Sequence, residues 1–150
     1  MLKGIDNRLN AEVLGALRAM GHGDVLVLAD TNFPADSIAR QTVLGRLLRM
    51  DNLTSAEAAQ AVLSVLPLDT FVDDFAARME VVGDPAAIPA VQAEVQVEID
   101  AAEGRPRPMV GVERFAFYDR AKQAYAVIQT GERRFYGCFQ FRKGVIPPEA

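Results

Sequence analysis

Asp24-Val25-Leu26-Val27-Leu28-Ala29-Asp30 is the stretch of this 150-residue sequence that indicates its fold class. An unbroken apolar run, short and rich in Val and Leu, lies there between two carboxylates. A strand with one solvated face would alternate apolar and polar residues, whereas a short continuous apolar run is typical of a buried strand. We therefore predict a strand over Asp24–Ala29 that is covered on both faces and ends at Asp30.

A helix is predicted immediately before this strand. Asn10 is suited to cap it, because the Asn side chain can accept a bond from an unpaired backbone N–H. Apolar residues then recur at helical spacing as far as Met20, and Gly21 stands where a C′ glycine would end the helix. The predicted helix is Ala11–Met20.

The rest of the chain alternates between helical and strand patterns. In chain order these predict a loop over Thr31–Pro34, a strand or a helix over Thr42–Leu48, a helix that starts at the capping box Thr54–Glu57 and is closed by Pro67, a strand over Phe75–Val82, a helix through Val91–Ala102 that Gly104 ends, a helix over Glu113–Lys122, and two strands, Tyr125–Thr130 and Cys138–Phe141, joined through Gly131. Interleaved helices and strands indicate a layered α/β domain. No linker divides the sequence, so we expect one domain over residues 1–150.

The composition excludes several classes of protein. Sixteen basic and twenty acidic residues give a formal charge of −4 and a pI near 5.0, which disfavours binding to nucleic-acid phosphates. The apolar runs are far shorter than the ~20 residues of a membrane span, and the N-terminus lacks the apolar segment of a secretory signal. The single cysteine, Cys138, excludes an internal disulfide and fits a reducing cytoplasm. With one histidine and one cysteine, a His/Cys metal cage cannot form within the chain.

Two residues beside the predicted strand are candidates for chemistry. His22, the only histidine, lies between Gly21 and Gly23, and its side chain can give and take protons near neutral pH. It can equally be a loop histidine that only bonds its neighbours. Asp30 follows the carboxyl end of the strand, where ligands of α/β sheets bind. Its carboxylate would accept sugar hydroxyls or, alternatively, cap the turn that follows.

Two further segments combine polar and aromatic groups. Arg114 lies in Glu113–Tyr118, which would form either a surface for a small polyhydroxyl ligand or an amphipathic helix with its aromatic residues in the core and its arginine solvated. In Tyr136-Gly137-Cys138, the tyrosine can stack on a sugar or donate through its hydroxyl, or be a cross-strand aromatic. The glycine admits a close approach to the backbone. Cys138 has no activating cation nearby in the sequence and is interpreted as a packing residue.

Several separate blocks of the sequence, in the same order, resemble the sugar mutarotase family of ribose pyranases and L-fucose mutarotases. The blocks are Met1–Ile5, Met20–Asp24, Ala29–Ala35, Glu113–Lys122, Thr130–Glu132, Tyr136–Gly137 and Lys143–Val145. Among them, Glu113–Lys122 resembles the fucose branch in particular. The likeness runs from residue 1 to about 146, with a less recognisable middle over Arg40–Pro108.

The resemblance implies a three-layer α/β/α single domain with a central mixed sheet, which forms a ring-based homodecamer. It implies an isomerase that speeds the exchange between anomers of a monosaccharide, most directly L-fucose, by acid–base ring opening without a metal or cofactor. It assigns the proton donor to His22 and the sugar contacts to Asp30, Arg114 and Tyr136-Gly137-Cys138. Two alternatives stay open: ribose-type pyranose–furanose interconversion, and a non-catalytic sugar-binding protein associated with transport.

The sequence departs from the family at Cys138, where the family usually has asparagine. A thiol offers one weak donor, whereas an asparagine amide offers two donors and an acceptor. If the family contact uses this side chain, its loss would weaken sugar binding by roughly 1–3 kcal/mol and change the hydroxyl pattern that is accepted.

The spacing of His22 and Asp30 has a geometric consequence. Along one extended strand, residues eight positions apart are separated by roughly 25 Å, which a monosaccharide cannot span. Either the glycines beside His22 fold the loop back towards Asp30, or neighbouring subunits complete each site. We predict the second arrangement.

Overall fold

The computed structural model describes residues 1–149. In chain order its elements are α1 (Ala11–Ala19), β1 (Val25–Ala29), α2 (Ala35–Ala39), β2 (Leu48–Met50), α3 (Ser55–Leu63), β3 (Ala76–Met79), α4 (Ala90–Glu103), β4 (Val110–Val112), α5 (Arg114–Lys122), β5 (Ala126–Thr130) and β6 (Phe139–Arg142). Within residues 1–149, no helix is both long enough and apolar enough to cross a membrane.

The strands form one sheet in the order β2-β5-β1-β6-β3-β4. The β1 strand lies parallel to β5 and antiparallel to β6. The outer pairs β2–β5 and β3–β4 are parallel, and β3 is antiparallel to β6. The expected central mixed sheet is therefore confirmed, and β1 lies in its interior.

Alternate side chains of β1 enter two different hydrophobic cores. Leu26 and Leu28 are fully buried with apolar residues of α1, α3 and α4 on one face of the sheet. Val27 and Ala29 are fully buried with those of α2 and α5 on the other face. Burial on both faces is why this strand is an unbroken apolar run in the sequence. The three-layer α/β/α architecture is confirmed.

The helix boundaries follow from local chemistry at several ends. The Asn10 side chain accepts a hydrogen bond from the Val13 N–H at 2.9 Å and caps α1. Thr54 and Glu57 form both bonds of the predicted capping box at the start of α3. Gly104 ends α4 in the left-handed conformation, with φ of 73°. These three predictions are confirmed.

The end of α1 differs from its prediction. The helix stops at Ala19, and Gly21 is not its left-handed C′ residue. The Gly21 N–H instead donates to the Asp24 carboxylate at 2.7 Å, and the positive φ of 89° belongs to Gly23. The Asp24 side chain therefore closes the turn that carries His22, immediately before β1 begins.

The ambiguous stretch Thr42–Leu48 is mostly a loop, and only its last residue enters β2. The loop is held by tertiary contacts, such as the bond from the Val43 N–H to the Ala124 carbonyl. The predicted strand Phe75–Val82 is also shorter, because the chain turns where Val81 bridges to Asp84.

The last two strands, β5 and β6, are not neighbours, because β1 lies between them. The chain runs from β5 to β6 through Gly131, as predicted, but this connection does not form a hairpin. The Gly131 N–H donates to the Leu53 carbonyl at 2.7 Å, and a methyl group on Gly131 would overlap the Asp51 carbonyl oxygen. This close approach turns the chain out of the sheet after β5.

Replacing Gly131 by alanine is expected to destabilise the fold by roughly 1–3 kcal/mol, because the new methyl group pushes the loop after β2 away. The matched control is Gly15→Ala in α1, where an added Cβ meets no atom within 4 Å. That change should stabilise the protein by about 0.5–1 kcal/mol through helix propensity. Urea unfolding of both variants measures the difference, and changes of the same sign would contradict this account.

Candidate active site

A cavity of about 210 Å³ opens beside the carboxyl end of β1. It contains four of the residues that the sequence singled out, namely Asp30, Arg114, Tyr136 and Cys138, and its remaining lining residues are Asn32, Phe33, Met79, Tyr118 and Phe135. Polar groups and aromatic rings are mixed in this lining. The cavity therefore presents hydrogen-bonding groups and apolar surface to the same small ligand.

The carboxylate of Asp30 holds the cavity wall together. Its Oδ1 accepts hydrogen bonds from the N–H groups of Asn32 and Phe33, at 3.0 and 2.9 Å. Its Oδ2 accepts a bond from the N–H of Gly137, which lies in the connection between β5 and β6, at 3.1 Å. The capping interpretation of Asp30 is thus what the contacts show. These three bonds occupy most of the roughly four lone-pair sites of the carboxylate.

Tyr136 adopts an unusual backbone conformation at the cavity. Its φ is 62°, and no other non-glycine residue among residues 1–149 has a positive φ. Such a conformation costs about 1–3 kcal/mol and persists only where the surroundings impose it. The Tyr136 hydroxyl accepts a bond from the Val82 N–H at 3.2 Å. The ring is therefore held at both its backbone and its hydroxyl end.

Gly137 lies behind the cavity wall and does not line the cavity. A Cβ at this position would be 2.8 Å from Cγ of Glu132 and 3.1 Å from Oγ of Ser55. The predicted close approach to the Gly137 backbone is therefore present. The groups that approach it are the side chains of Glu132 and Ser55.

Arg114 begins α5 and reaches over the mouth of the cavity. Its Nε donates to the Tyr118 hydroxyl at 3.3 Å, and its guanidinium lies 5.5 Å from the centre of the Tyr118 ring. The aromatic residues of this helix do not all enter the core: Phe117 is fully buried, but Phe115 is 64% exposed. Tyr118 packs edge-on against Phe33 at 5.2 Å between ring centres. The amphipathic interpretation holds for Phe117 alone, and Arg114 and Tyr118 form a polar rim.

Cys138 closes the inner wall of the cavity. Burial raises the pKa of its thiol well above the usual value, and the neighbouring Asp30 carboxylate raises it further. The thiol is therefore neutral at physiological pH and is not an activated nucleophile. Its packing interpretation agrees with these surroundings.

His22 lies beyond the other end of β1 and does not line the cavity. Its Nε2 is 3.2 Å from Oδ2 of Asp69, and the imidazole is about half exposed. Asp69 is buried, and its Oδ1 has no hydrogen-bond partner among residues 1–149. The Phe71 ring packs edge-on against the imidazole at 6.2 Å between centres. His22 therefore has an accessible ring and a carboxylate partner.

The segment after β6 positions this His–Asp pair. The Lys143 ammonium donates to the carbonyls of Leu17 and Met20, which fastens the end of α1 to the turn before β1. The Lys143 carbonyl accepts from the Gly23 N–H at 2.8 Å. Lys143 also bridges to Leu68, directly before Asp69. The segment at Lys143 thus brings the turn at His22 and the loop at Asp69, which are distant in sequence, to the same end of the sheet.

The structure separates the candidate residues into two groups. Asp30, Arg114, Tyr136 and Cys138 share one cavity, whereas His22 lies at the opposite end of β1. Sequence analysis missed Asp69, which is joined to His22 only through the tertiary bridge described above. Within residues 1–149, no group of three or more His, Cys, Asp or Glu side chains is arranged to hold a metal ion.

An ion network around the buried Glu132 supports the Tyr136 turn. Arg134 donates to both oxygens of Glu132 and, through two parallel bonds of 2.9 and 2.7 Å, to Glu94 of α4. The Ser55 N–H also donates to Glu132, and the Ser55 hydroxyl donates to the Gly137 carbonyl at 2.9 Å. Burial alone would raise the pKa of Glu132, but the bonds from Arg134 and Ser55 outweigh it and lower the pKa to about 2.

This lowered pKa predicts a specific acid sensitivity. The ionised Glu132 stabilises the fold fully above its ordinary pKa of 4.5, and the contribution is lost as the pH falls towards about 2. The loss amounts to at most about 3 kcal/mol, because solvent screens the partly exposed Arg134. The free energy of unfolding of Glu132→Gln should therefore vary less between pH 5 and pH 2 than that of the unaltered protein. Parallel pH profiles would refute the assignment.

Comparison with known proteins places this geometry in context. Residues 3–146 match the model of the RbsD / FucU transport protein family. The chain is 44% identical over 148 residues to the human fucose mutarotase, which covers 97% of this chain and 94% of that relative.

Solved structures agree with this match. The crystal structure of the protein Atu2016 superposes with a TM-score of 0.96 at 65% identity, covering 98% of this chain and 97% of that one. The fucose mutarotase of Streptococcus pneumoniae, solved in complex with L-fucose, superposes with a TM-score of 0.86 at 34% identity, covering 97% of this chain and 100% of that one. With its full-length family match and its shared fold, this chain belongs to the RbsD/FucU family, as its sequence blocks indicate.

Proposed function

We propose that the protein is a mutarotase, a carbohydrate isomerase that interconverts the anomers of a monosaccharide, with L-fucose as its substrate. The observation that carries this proposal is a half-exposed His22–Asp69 pair together with a polar and aromatic cavity of monosaccharide scale. The similarity to proteins named fucose mutarotase supports the choice of sugar. The single buried thiol of Cys138 supports a reducing, cytoplasmic location.

The cavity offers the contacts that a free sugar needs. Arg114 and Tyr136 supply donors, and the Asp30 carboxylate supplies an acceptor. Phe33 and Met79 supply apolar surface for the C–H face of a sugar ring. A cavity of about 210 Å³ is smaller than the sites that hold drug-sized ligands, which favours a single sugar ring.

The reaction is ring opening followed by ring closure. A base takes the proton of the anomeric hydroxyl while His22 gives a proton to the ring oxygen, and the bond between C1 and the ring oxygen breaks. The resulting aldehyde rotates about C1–C2, and the ring closes on the other face with both proton transfers reversed. Asp69 orients the imidazole, because the carboxylate lies at Nε2. Contacts to the other hydroxyls retain the open sugar during the rotation.

We further propose that each active site is completed by a neighbouring subunit of a ring, consistent with the expected homodecamer. The His22–Asp69 pair and the sugar cavity lie at opposite ends of β1, so one chain cannot apply both to the same sugar. Exposed aromatic rings flank each half, with Phe71 77% exposed beside His22 and Phe135 74% exposed at the cavity. In the proposed ring these two aromatic rings would lie at the contact between subunits. Joining one end of a subunit to the opposite end of the next is a head-to-tail contact, and such contacts form a ring when the rotation between neighbours closes.

His22→Gln is expected to lower the rate of exchange between α- and β-L-fucose by roughly 10²- to 10⁴-fold, the usual contribution of a general acid. Sugar binding in the cavity should persist, because Gln at this position removes no cavity contact. NMR exchange spectroscopy measures the exchange, and a sugar titration measures the binding. A panel with D-ribose separates pyranose–furanose activity from anomer exchange. If the unaltered protein binds sugar but leaves exchange at the solvent rate, it is a binding protein and the proposal is wrong.

A mixing experiment tests the shared site. His22→Gln and Arg114→Met should each be inactive alone, because one loses the acid and the other loses a sugar contact. When the two variants are unfolded and refolded together, random assembly should give about a quarter of the sites both native halves, with activity recovered accordingly. Mixing without unfolding is the control. No recovery after co-refolding into native oligomers would show that each chain holds its own site.

A further inference from the structure

The strained backbone of Tyr136 requires an external support, since its φ of 62° is disfavoured for a residue with a side chain. The hydroxyl contact with Val82 holds the far end of the ring but not the peptide itself. On its C-terminal side, the Gly137 N–H is held by Asp30. The remaining polar group of this turn is the Tyr136 carbonyl, and its partner determines whether the conformation is fixed.

That partner is Gln92, on the first turn of α4. Its side-chain Nε2 donates to the Tyr136 carbonyl at 3.1 Å and to the Met79 carbonyl at 2.7 Å. Its Oε1 accepts a weaker bond from Arg78 at 3.3 Å. Because Tyr136 and Met79 both line the cavity, a single amide joins two of its walls.

Burying the Gln92 side-chain amide costs free energy, which its hydrogen bonds must offset. The residue is fully buried, whereas the other buried residues of α4 are Val91, Val95 and Ile99, all apolar. Burying an amide requires full hydrogen bonding, while a leucine in the same place would avoid that desolvation cost. The position therefore carries a polar group where helix packing alone would favour an apolar one.

We propose that Gln92 is a positioning residue for the sugar, an inference that rests on the proposed function. It does not line the cavity. It acts through Tyr136, by holding the left-handed turn so that the Tyr136 ring faces the ligand in one arrangement, while its bond to the Met79 carbonyl anchors the amide itself. Without it, the turn relaxes and the ring no longer lies preorganised against the sugar, so affinity falls while the acid of the neighbouring subunit is unaffected.

The test compares Gln92→Leu with Gln96→Leu on the same helix. Gln96 also donates two bonds, to Asp100 and to the Arg107 carbonyl, and accepts one from the Met109 N–H, but it forms no hydrogen bond to a residue that lines the cavity. Each variant loses three hydrogen bonds and leaves backbone groups unpaired, so the thermal stability of both should fall. Gln92→Leu alone should raise KM for L-fucose roughly tenfold with kcat within about twofold of the unaltered value, the pattern for lost uniform binding.

A double-mutant cycle with Tyr136→Gly then shows whether Gln92 acts through Tyr136. Glycine removes both the ring and the strain, so adding Gln92→Leu to it should change kcat/KM by about twofold or less, whereas it should still lower the melting temperature. An undiminished tenfold effect in the Tyr136→Gly background, or equal KM changes for the Gln92 and Gln96 variants, would overturn the proposal.

A readout without turnover separates this proposal from the function itself. The ring resonances of Tyr136 in the sugar-free protein should shift or broaden in Gln92→Leu and stay unchanged in Gln96→Leu. If the unaltered protein fails to exchange L-fucose anomers, the proposed function falls, while these resonances still report on the positioning role. Unchanged Tyr136 resonances in Gln92→Leu would overturn it whatever the activity.

Discussion

The site depends on one carboxylate. Asp30 accepts backbone N–H groups from the turn that follows β1 and from Gly137, which lies 107 residues further along the chain. The bonds to the first turn form locally, but the bond to Gly137 requires that the 131–138 connection already lies against the end of β1. Because Asp30 is buried, a partner left unmade would cost about 1–3 kcal/mol. The cavity wall is therefore built by the same interaction that closes the fold around its central strand.

The length of β1 sets a second constraint. The extended strand separates the groups at its two ends, so the His22–Asp69 pair and the cavity lie at opposite ends of β1. In the proposed ring, joining copies end to end would bring the two together with surfaces that the domain already has, so activity and assembly would have a common physical cause.

The sequence predicts those parts of the fold that depend on neighbouring residues. Asn10 and Thr54 cap their helices through bonds to residues three positions away, and β1 is recognised by its own composition. His22 stands out as the only histidine, beside the glycines of its turn. Asp69 and Gln92 escape such reasoning, because their roles arise from contacts 47 and 44 positions away in the chain, to His22 and the Tyr136 carbonyl. Neither position carries a local pattern that distinguishes it from a surface carboxylate or a helix amide.

The edges of the sheet have a consequence of their own. Both outermost strands, β2 and β4, are only three residues long. Very short edges offer few unpaired N–H and C=O groups to a foreign chain, which limits strand-templated aggregation. In the proposed ring, subunits would therefore meet through side chains at the ends of the strands, and the hydrogen-bonded ladder would not continue from one subunit into the next.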